Sequence, residues 1–143
     1  MSAPLITRPP AEVGDQVVAW TKQPTNLDCF LLGAAYWTSH RIHYDRGWAQ
    51  EEGYADVVVT GVLLYSWFER LIVSWAGSPS AVTSYSFRHT GLATVQDELV
   101  FSGVILDISP VDDAIRVTVA IDVHTIDDRS ILKGECRLSF QAT

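Results

Sequence analysis

The sequence predicts an α+β fold in which one antiparallel sheet wraps around a single long helix. Residues 62–75 are apolar on nearly every side, and four segments rich in β-branched and aromatic residues follow, separated by turn residues. With 143 residues, 48% of them hydrophobic, the chain can bury one sizeable core but is too short for two ordinary domains. We therefore expect one domain that spans residues 1–143.

The first half of the chain contains one predicted strand and one predicted helix before a polar loop. Residues 16–22 alternate loosely between apolar and polar, which is typical of a strand. Thr25 and Asp28 have the spacing of a capping box, and apolar residues then recur at helical intervals, so a helix is expected from Thr25 to about Trp37. In the loop that follows, we expect one short helical turn near residues 48–52.

The second half of the chain begins with the long helix. Gly77 and Pro79 are expected to end it. The strand-like segments that follow are residues 81–89, 98–108, 114–125 and 130–141. Aspartate pairs at 112–113 and 127–128 indicate two tight reversals, as in an antiparallel meander. A buried helix wrapped by such a sheet is the hot-dog fold.

Charge and cysteine content exclude several classes of function. Ten basic and seventeen acidic side chains give a formal charge of -7, which disfavours a nucleic-acid-binding surface. The two cysteines form no CxxC pair, so neither a disulfide framework nor a cysteine-based zinc site is expected, and no metal is predicted. No stretch has the composition of a signal peptide or a membrane span. We expect a cytoplasmic protein with no membrane partner.

The most informative stretch, residues 38–45, reads Thr-Ser-His-Arg-Ile-His-Tyr-Asp, and a Val-Thr-Gly-Val-Leu-Leu run at 59–64 opens the long helix. This pattern resembles the MaoC-like (R)-specific enoyl-thioester hydratases and dehydratases, which have the hot-dog fold. In that family an Asp or Asn stands five residues before a His in a stretch ending His-x-Asp, and a Gly-containing turn starts the helix. His43, Asp45 and Gly61 match those positions.

The resemblance implies that His43 moves protons during hydration of a 2-enoyl thioester. That reaction needs water at the β-carbon, a proton at the α-carbon and stabilisation of the enolate that develops on the thioester oxygen. An imidazole can take or give a proton near neutral pH. The alternative for His43 is a loop histidine that holds backbone carbonyls. The alternative for Asp45 is a loop carboxylate that caps the turn near Trp48.

The sequence departs from the family pattern at two positions. Thr38 stands where the family has Asp or Asn, and Thr60 replaces the His that frequently precedes the helix Gly. A threonine hydroxyl titrates far too high to act as a base, so Thr38 can only position water. Its alternative role is to end the preceding helix. Two routes to catalysis remain open: His43 works with a water held by Thr38, or a carboxylate such as Asp45, or one from a partner chain, replaces the missing Asp.

The start of the long helix is a predicted site for the thioester oxygen. Gly61 lies at the helix N-terminus with Thr60 and Val62 beside it, where free backbone N–H groups and the positive end of the helix dipole can face an oxyanion. The alternative for Gly61, compatible with the first, is that a glycine allows close approach of helix and sheet.

Further substrate contacts are predicted for Arg41, Trp37 and Tyr65. Arg41 is a candidate for the phosphates of coenzyme A, although a single loop arginine is usually solvated. Five aromatic residues near the motif are expected mainly in the core, with the wall of an acyl pocket as the alternative: Trp37, Trp48, Tyr54, Tyr65 and Trp67. His89 and His124 show no spacing typical of metal ligands and are expected to be packing or surface residues.

Three functions follow from the resemblance. The first is reversible hydration and dehydration of a 2-enoyl or 3-hydroxyacyl thioester, with coenzyme A or phosphopantetheine as part of the substrate and no separate cofactor. The second is a non-catalytic or half-catalytic subunit of a heteromeric hydratase, which Thr38 motivates. The third is a thioesterase, which normally needs a carboxylate near the pocket end of the helix, but the only acidic residue of the helix is Glu69, about two turns beyond Gly61. By resemblance we expect a homodimer, or a heterodimer with another hot-dog chain.

Overall fold

A computed structural model describes residues 7–142, so the ends of the predicted domain, residues 1–6 and 143, lie outside the described residues. The helices are α1 (Asn26–Tyr36), α2 (Arg46–Glu51) and α3 (Gly61–Ala76), and the strands are β1 (Gln16–Lys22), β2 (Val82–His89), β3 (Leu99–Val111), β4 (Ala114–Thr125) and β5 (Ser130–Gln141). Every predicted strand and helix is present. The bounds differ from the prediction by at most a few residues.

The five strands form one antiparallel sheet in the order β1-β3-β4-β5-β2. Strands β3, β4 and β5 are consecutive neighbours, so two tight reversals join them. Asp112 and Asp128 take positive φ angles of 54° and 72° in those reversals, a conformation that Asp tolerates better than most residues. The two predicted aspartate turns are therefore confirmed.

Both edges of the sheet contact the same helix. Trp67 of α3 packs against Trp20 of β1, with ring centroids 5.6 Å apart, and Tyr65 of α3 stacks on Phe87 of β2 at 4.4 Å. A flat sheet of five strands would hold its edges about 19 Å apart, wider than the diameter of about 10–12 Å of a helix. The sheet therefore curls around α3, which confirms the predicted hot-dog fold.

The core lies between α3 and the concave face of the sheet. Leu64, Phe68 and Ile72 on α3 are almost completely buried and belong to one apolar cluster with the inward residues of the strands. Gly103 on β3 lets the helix come close, because a Cβ atom there would lie 3.3 Å from the end of the Phe68 ring. Within residues 7–142, no helix is long and apolar enough to cross a membrane.

Helix α1 has the predicted capping box. The Thr25 hydroxyl accepts a hydrogen bond from the backbone N–H of Asp28 at 3.1 Å, and the Asp28 carboxylate accepts from the backbone N–H of Thr25 at 2.9 Å. In contrast to α3, only Cys29 and Gly33 of this helix are buried. Leu32 packs against the core, whereas the side chains of Leu27, Phe30 and Leu31 face outward.

Candidate active site

His43 lies in the loop after α1, at the end of a single 3-10 turn formed by Arg41–His43. Its Nδ1 atom is 2.7 Å from the carbonyl oxygen of Val58, shortly before α3. A carbonyl oxygen only accepts hydrogen bonds, so Nδ1 must carry the ring proton and donate it. Nε2 of the neutral imidazole consequently keeps its lone pair. Holding a backbone carbonyl, the structural alternative for His43, thus also prepares the ring to take a proton.

The segment that accepts this hydrogen bond is held in place by backbone contacts to the His43 loop and to the segment before β3. The Val58 N–H donates to the carbonyl of Ile42 at 2.9 Å, and Val58 forms a β-bridge with Thr94. Residues 57–60 are buried. Three residues lead from Val58 to Gly61, a span of at most about 11 Å. His43 is therefore tied to the same short segment that starts α3.

Helix α3 begins at Gly61, as its glycine and preceding threonine predict. The Thr60 hydroxyl accepts a hydrogen bond from the N–H of Leu63 at 3.2 Å, and the Thr60 carbonyl accepts from the same N–H at 3.1 Å. None of the hydrogen bonds among residues 7–142 uses the N–H groups of Gly61 or Val62. These two donors lie at the positive end of the helix dipole, where an oxyanion is stabilised.

Thr38 ends α1 and borders a cavity. Its N–H donates to the carbonyl of Gly33 at 2.9 Å, after Trp37 has turned the backbone into the left-handed conformation. The cavity has a volume of about 310 Å³ and is lined mainly by apolar atoms of Phe30, Gly33, Ala34, Trp37, Thr38, Ser39 and Tyr44. The backbone of Thr38 thus has the helix-ending role considered above, while its side chain is half-buried beside a space that can hold a ligand.

Asp45 and Arg41 form an ion pair that supports the His43 loop. Arg41 Nε donates to Asp45 Oδ2 at 3.1 Å, and the guanidinium lies over the ring of Trp48, 4.2 Å from its centroid. Asp45 Oδ1 accepts from the backbone N–H of Trp48 at 3.1 Å and so caps α2. The hydrogen bond from Arg41, followed by that from Trp48, lowers the pKa of Asp45. Both oxygens of this carboxylate are therefore engaged in local contacts.

Asp56 fixes the far end of the same loop. The residue is 4% exposed and accepts hydrogen bonds from Arg46 Nε at 2.8 Å, Gln96 Nε2 at 3.1 Å and the backbone N–H of Val57 at 2.7 Å. Burial disfavours the charged form, but these donors outweigh it and lower the pKa of Asp56. The loop is thus ordered by polar contacts at both ends.

Tyr65 and His89 meet beside Gly61. Tyr65 lies one helical turn after Gly61, and its hydroxyl is hydrogen-bonded to Nε2 of His89 at the end of β2. A Cβ atom on Gly61 would lie 2.5 Å from His89 Nε2 and 3.2 Å from the Tyr65 hydroxyl oxygen. Two polar side chains therefore lie at the start of α3, where the thioester oxygen is expected.

The family of this chain follows from comparison with known proteins. The model of the family described as hydroxyacyl-thioester dehydratase type 2 matches residues 4–95, close to two thirds of the chain. The chain belongs to this family. The matched range includes His43, Gly61 and His89. No curated protein matches the chain significantly.

Solved structures agree with the dehydratase assignment at the level of the fold. The (R)-hydratase of A. caviae involved in PHA biosynthesis is 18% identical, with a TM-score of 0.81 over 92% of this chain and 98% of that one. The R-hydratase PhaJ1 of Pseudomonas aeruginosa is 20% identical, with a TM-score of 0.79 over 93% and 88%. The ChsH1-ChsH2 complex of Mycobacterium tuberculosis is 19% identical, with a TM-score of 0.77 over 91% and 98%. The resemblance to MaoC-like hydratases is confirmed.

One expectation about aromatic residues is wrong for this dehydratase family member. Trp37 is 91% exposed and therefore does not lie in the core. It ends α1 with a φ of 53°, so its side chain projects from the end of the helix instead of continuing along a packed face. Trp48 and Tyr54 are half-buried, whereas Tyr65 and Trp67 pack against the core. Of the five aromatic residues, only Trp37 thus lies on the surface beside Thr38.

The position of His89 is the feature of the site that sequence reasoning missed. His89 is exposed at the end of an edge strand, as a surface residue would be, yet it contacts the first residue of α3. This contact joins β2 to α3 and depends on how far the sheet curls. The glycine at position 61 was a signal of close approach, but the sequence does not indicate which side chain approaches it. Among residues 7–142, no group of acidic, His and Cys side chains is arranged to hold a metal ion.

Proposed function

We propose that this chain adds water reversibly across the 2,3 double bond of a 2-enoyl thioester to give a 3-hydroxyacyl thioester. The observation that carries the proposal is the 2.7 Å hydrogen bond between His43 Nδ1 and the carbonyl of Val58, three residues before α3, which leaves the lone pair of Nε2 available to take a proton. Membership in the hydroxyacyl-thioester dehydratase family supports the same reaction in the direction of water loss.

The proposed hydration uses His43 twice. Nε2 of His43 takes a proton from water while the water oxygen forms a bond to C3 of the substrate. The electrons of the double bond move toward the thioester, and negative charge collects on its oxygen, where the N–H groups of Gly61 and Val62 stabilise it. The imidazolium of His43 then gives a proton to C2. Water has been added across C2 and C3, and the imidazole is neutral again.

The other predicted site residues have supporting roles in this proposal. The Thr38 hydroxyl holds the attacking water but does not remove its proton, because it titrates far too high. The Thr60 hydroxyl orders the first turn of α3 through its bond to Leu63. Asp45 and Arg41 act on each other and keep the His43 loop in place, since their charges are already paired. Arg41 uses Nε and Nη2 for this pair, so Nη1 is the guanidinium nitrogen that can contact the substrate's phosphates.

The thioester carrier is part of the proposed substrate, and the reaction needs no separate cofactor. Addition of water to an activated double bond requires no electron transfer, and one imidazole with two backbone N–H groups provides the proton carrier and the oxyanion donors. Either coenzyme A or the phosphopantetheine of a carrier protein presents the same thioester. The apolar cavity beside Thr38 is suited to the hydrocarbon part of the acyl group.

Activity measurements on the isolated chain test this proposal. The wild type and His43→Ala are mixed with 2-enoyl-CoA substrates of different length and bulk, and loss of the conjugated thioester absorbance is followed. We expect His43→Ala to lower kcat by about 10²–10⁴-fold, because it removes the proton carrier. His124→Ala is the matched control, since His124 pairs with Asp122 on the face of β4 opposite its buried side chains. Equal rates for the wild type and His43→Ala would remove His43 from the mechanism.

A second candidate function is that of a subunit whose site is completed by a different hot-dog chain. The observation that favours it is the outward face of α1, where Leu27, Phe30 and Leu31 are 62%, 56% and 57% exposed next to the Thr38 cavity. Contiguous exposed apolar side chains mark surfaces that a ligand or partner covers. Two solved relatives are complexes by their names, ChsH1-ChsH2 and HadBC of Mycobacterium tuberculosis.

The partner in this second proposal supplies the carboxylate that Thr38 lacks. Strand β2 pairs only with β5 within residues 7–142, so its outer edge offers backbone donors and acceptors to another sheet. Co-purification with a second hot-dog chain, and hydration only by the mixture, would favour this function. Robust hydration by the isolated chain as a homodimer would exclude it. Thioesterase activity has no supporting observation, because Glu69 is exposed, and assay of free CoA would detect it.

A further inference from the structure

The space beside the first residue of α3 is filled by a pair of polar side chains. His89 Nε2 and the Tyr65 hydroxyl oxygen lie 2.5 Å and 3.2 Å from where a Cβ atom of residue 61 would be, closer than side chains normally pack. Position 61 can therefore carry no side chain while the pair is in place. The Cβ bond of a helical residue tilts toward the helix N-terminus, so the pair lies beside the free N–H groups of the first turn.

Aromatic stacking holds the Tyr65 ring independently of its hydroxyl. The ring stacks on Phe87 with centroids 4.4 Å apart and planes 15° apart, and Phe87 stacks on Tyr85 at 5.4 Å. Phe87 and His89 are two residues apart on β2 and so share one face of the strand. A phenylalanine at position 65 would make the same stack. The hydroxyl adds nothing to this packing, and its contact is with His89.

We propose that the Tyr65 hydroxyl donates a hydrogen bond to the thioester oxygen bound at Gly61, and that His89 is the residue that positions this hydroxyl. The proposal rests on the function proposed above. When His89 Nε2–H donates to the Tyr65 oxygen, the hydroxyl hydrogen is free to point to a third group. If instead Tyr65 donated to Nε2, its only hydrogen would be used. The pair thus gives the oxyanion one more donor beside those of Gly61 and Val62.

An additional hydrogen-bond donor to the thioester oxygen would assist the proposed hydration in this chain. Thr38 cannot ionise, so the attacking water is activated by His43 alone. Stronger polarisation of the thioester carbonyl makes C3 more electrophilic, and the same donor binds the enolate oxygen more tightly as charge develops. An uncharged hydroxyl held by a neighbouring group reaches the transition state without reorganisation. The Tyr65–His89 pair therefore contributes at the carbonyl end of the substrate, opposite the water that His43 activates.

Steady-state kinetics of hydroxyl-deletion variants test the donor role. We expect Tyr65→Phe to lower kcat by about 10²-fold, the usual cost of one oxyanion donor, with KM nearly unchanged because the ring still stacks on Phe87. Tyr85→Phe is the matched control: it removes a hydroxyl from the same aromatic row, but that hydroxyl is buried without a hydrogen-bond partner. A kcat of Tyr65→Phe equal to that of the wild type, or a change in KM alone, would overturn the donor role.

Two amide substitutions at position 89 test whether His89 positions the Tyr65 hydroxyl. Glutamine places an N–H donor near the position of imidazole Nε2, whereas asparagine places it near Nδ1. We expect His89→Gln to keep most of kcat and His89→Asn to fall to the level of Tyr65→Phe. If both amide variants lost equal activity, or neither lost any, the Nε2 contact would not position the hydroxyl.

A binding experiment separates this inference from the proposed reaction. In the His43→Ala background, a bound 2-enoyl-CoA is not turned over, and hydrogen bonding to its carbonyl shifts the conjugated absorbance to longer wavelength. We expect Tyr65→Phe in that background to bind the ligand and to lose most of the shift. This result supports the inference even if the wild type hydrates no substrate. An unchanged shift contradicts it even if hydration is observed, and failure of every 2-enoyl-CoA to bind contradicts both.

Discussion

Helices α3 and α1 are both rich in apolar side chains, but the fold uses them in opposite ways. Phe68 and Ile72 of α3 are fully buried under the sheet, whereas Leu27, Phe30 and Leu31 of α1 are more than half exposed. Burying apolar surface stabilises the fold, and an exposed apolar face stabilises nothing until a ligand or partner covers it. The comparison separates the part of the chain that maintains the structure from the part available for binding.

The largest effect on stability is expected inside α3. Phe68→Ala removes a fully buried ring at the point where the helix approaches Gly103, so it should lower the free energy of unfolding by about 3–5 kcal/mol. Urea or guanidinium denaturation measures the change. Phe68→Leu is the milder companion variant and should retain a larger share of the stability. A loss below about 1 kcal/mol for Phe68→Ala would mean that α3 is not the centre of the core.

A smaller loss of stability is expected for a substitution in the loop after α1, where polar contacts replace apolar burial. Asp56→Asn should cost about 1–3 kcal/mol, because it weakens the hydrogen bonds that a buried carboxylate accepts from Arg46 and Gln96. Denaturation at neutral pH measures this difference. Asp15→Asn, at an exposed carboxylate that accepts from Glu12 N–H, is the comparison for a solvated position.

The lowered pKa of Asp56 predicts that the stability of the protein depends on pH. The folded pKa of Asp56 is lowered, so its contribution is present above the unfolded pKa of about 3.9 and is lost as pH falls through the folded value. The stability difference between wild type and Asp56→Asn should therefore shrink below about pH 4. A difference that stays constant from pH 7 to pH 3 would show that the charge of Asp56 does not matter.

A substitution in the first turn of α3 should change the hydration rate more than the stability, in contrast to Phe68→Ala in the middle of the helix. Gly61→Ala should change stability by no more than about 1 kcal/mol, because alanine favours the helix while the displaced His89 imidazole can swing toward solvent. Hydration should nevertheless fall, since the new methyl group displaces the Tyr65–His89 pair. Gly47→Ala, in α2, is the control and should leave the rate unchanged. Full activity of Gly61→Ala would show that this close packing has no role in the reaction.

The smallest effect on stability is expected on the outer face of α1. Phe30→Ala should change the free energy of unfolding by about 0.5 kcal/mol or less, because the ring is 56% exposed. It should raise KM for long acyl thioesters, or weaken binding of a partner chain, because Phe30 lines the cavity beside Thr38. Denaturation and kinetics on short and long acyl substrates measure the two effects. A large stability loss would place this face in the core and end the contrast with α3.

Most of the fold could be predicted from the sequence because its signals are local. Residues 114–125 and 130–141 show the composition of strands and are bounded by Asp-containing turns, and both strands are found at those bounds. The Thr25 capping box and the apolar run of α3 are equally local. The exposure of Trp37 was not predicted, because it depends on a left-handed residue that ends α1 one position before Thr38.

The candidate site could be predicted only in part, because some of its contacts join segments that are distant in sequence. The motif located His43 and Gly61 through their neighbours in sequence. The hydrogen bond from His43 to Val58 and the contact of His89 with Gly61 join distant segments, and their geometry depends on the packing of the loop and the curl of the sheet. For Thr38, the sequence identified the departure from the family but not the group that replaces an aspartate.

A crystal structure with a stable 2-enoyl thioester analogue would test the central claim most directly, by locating its carbonyl oxygen and C3. We expect the oxygen within about 3 Å of the Gly61 N–H group and of the Tyr65 hydroxyl, with C3 facing Nε2 of His43 and the hydrocarbon chain beside Thr38. An acyl group bound elsewhere, or bound with its oxygen away from the start of α3, would contradict the account.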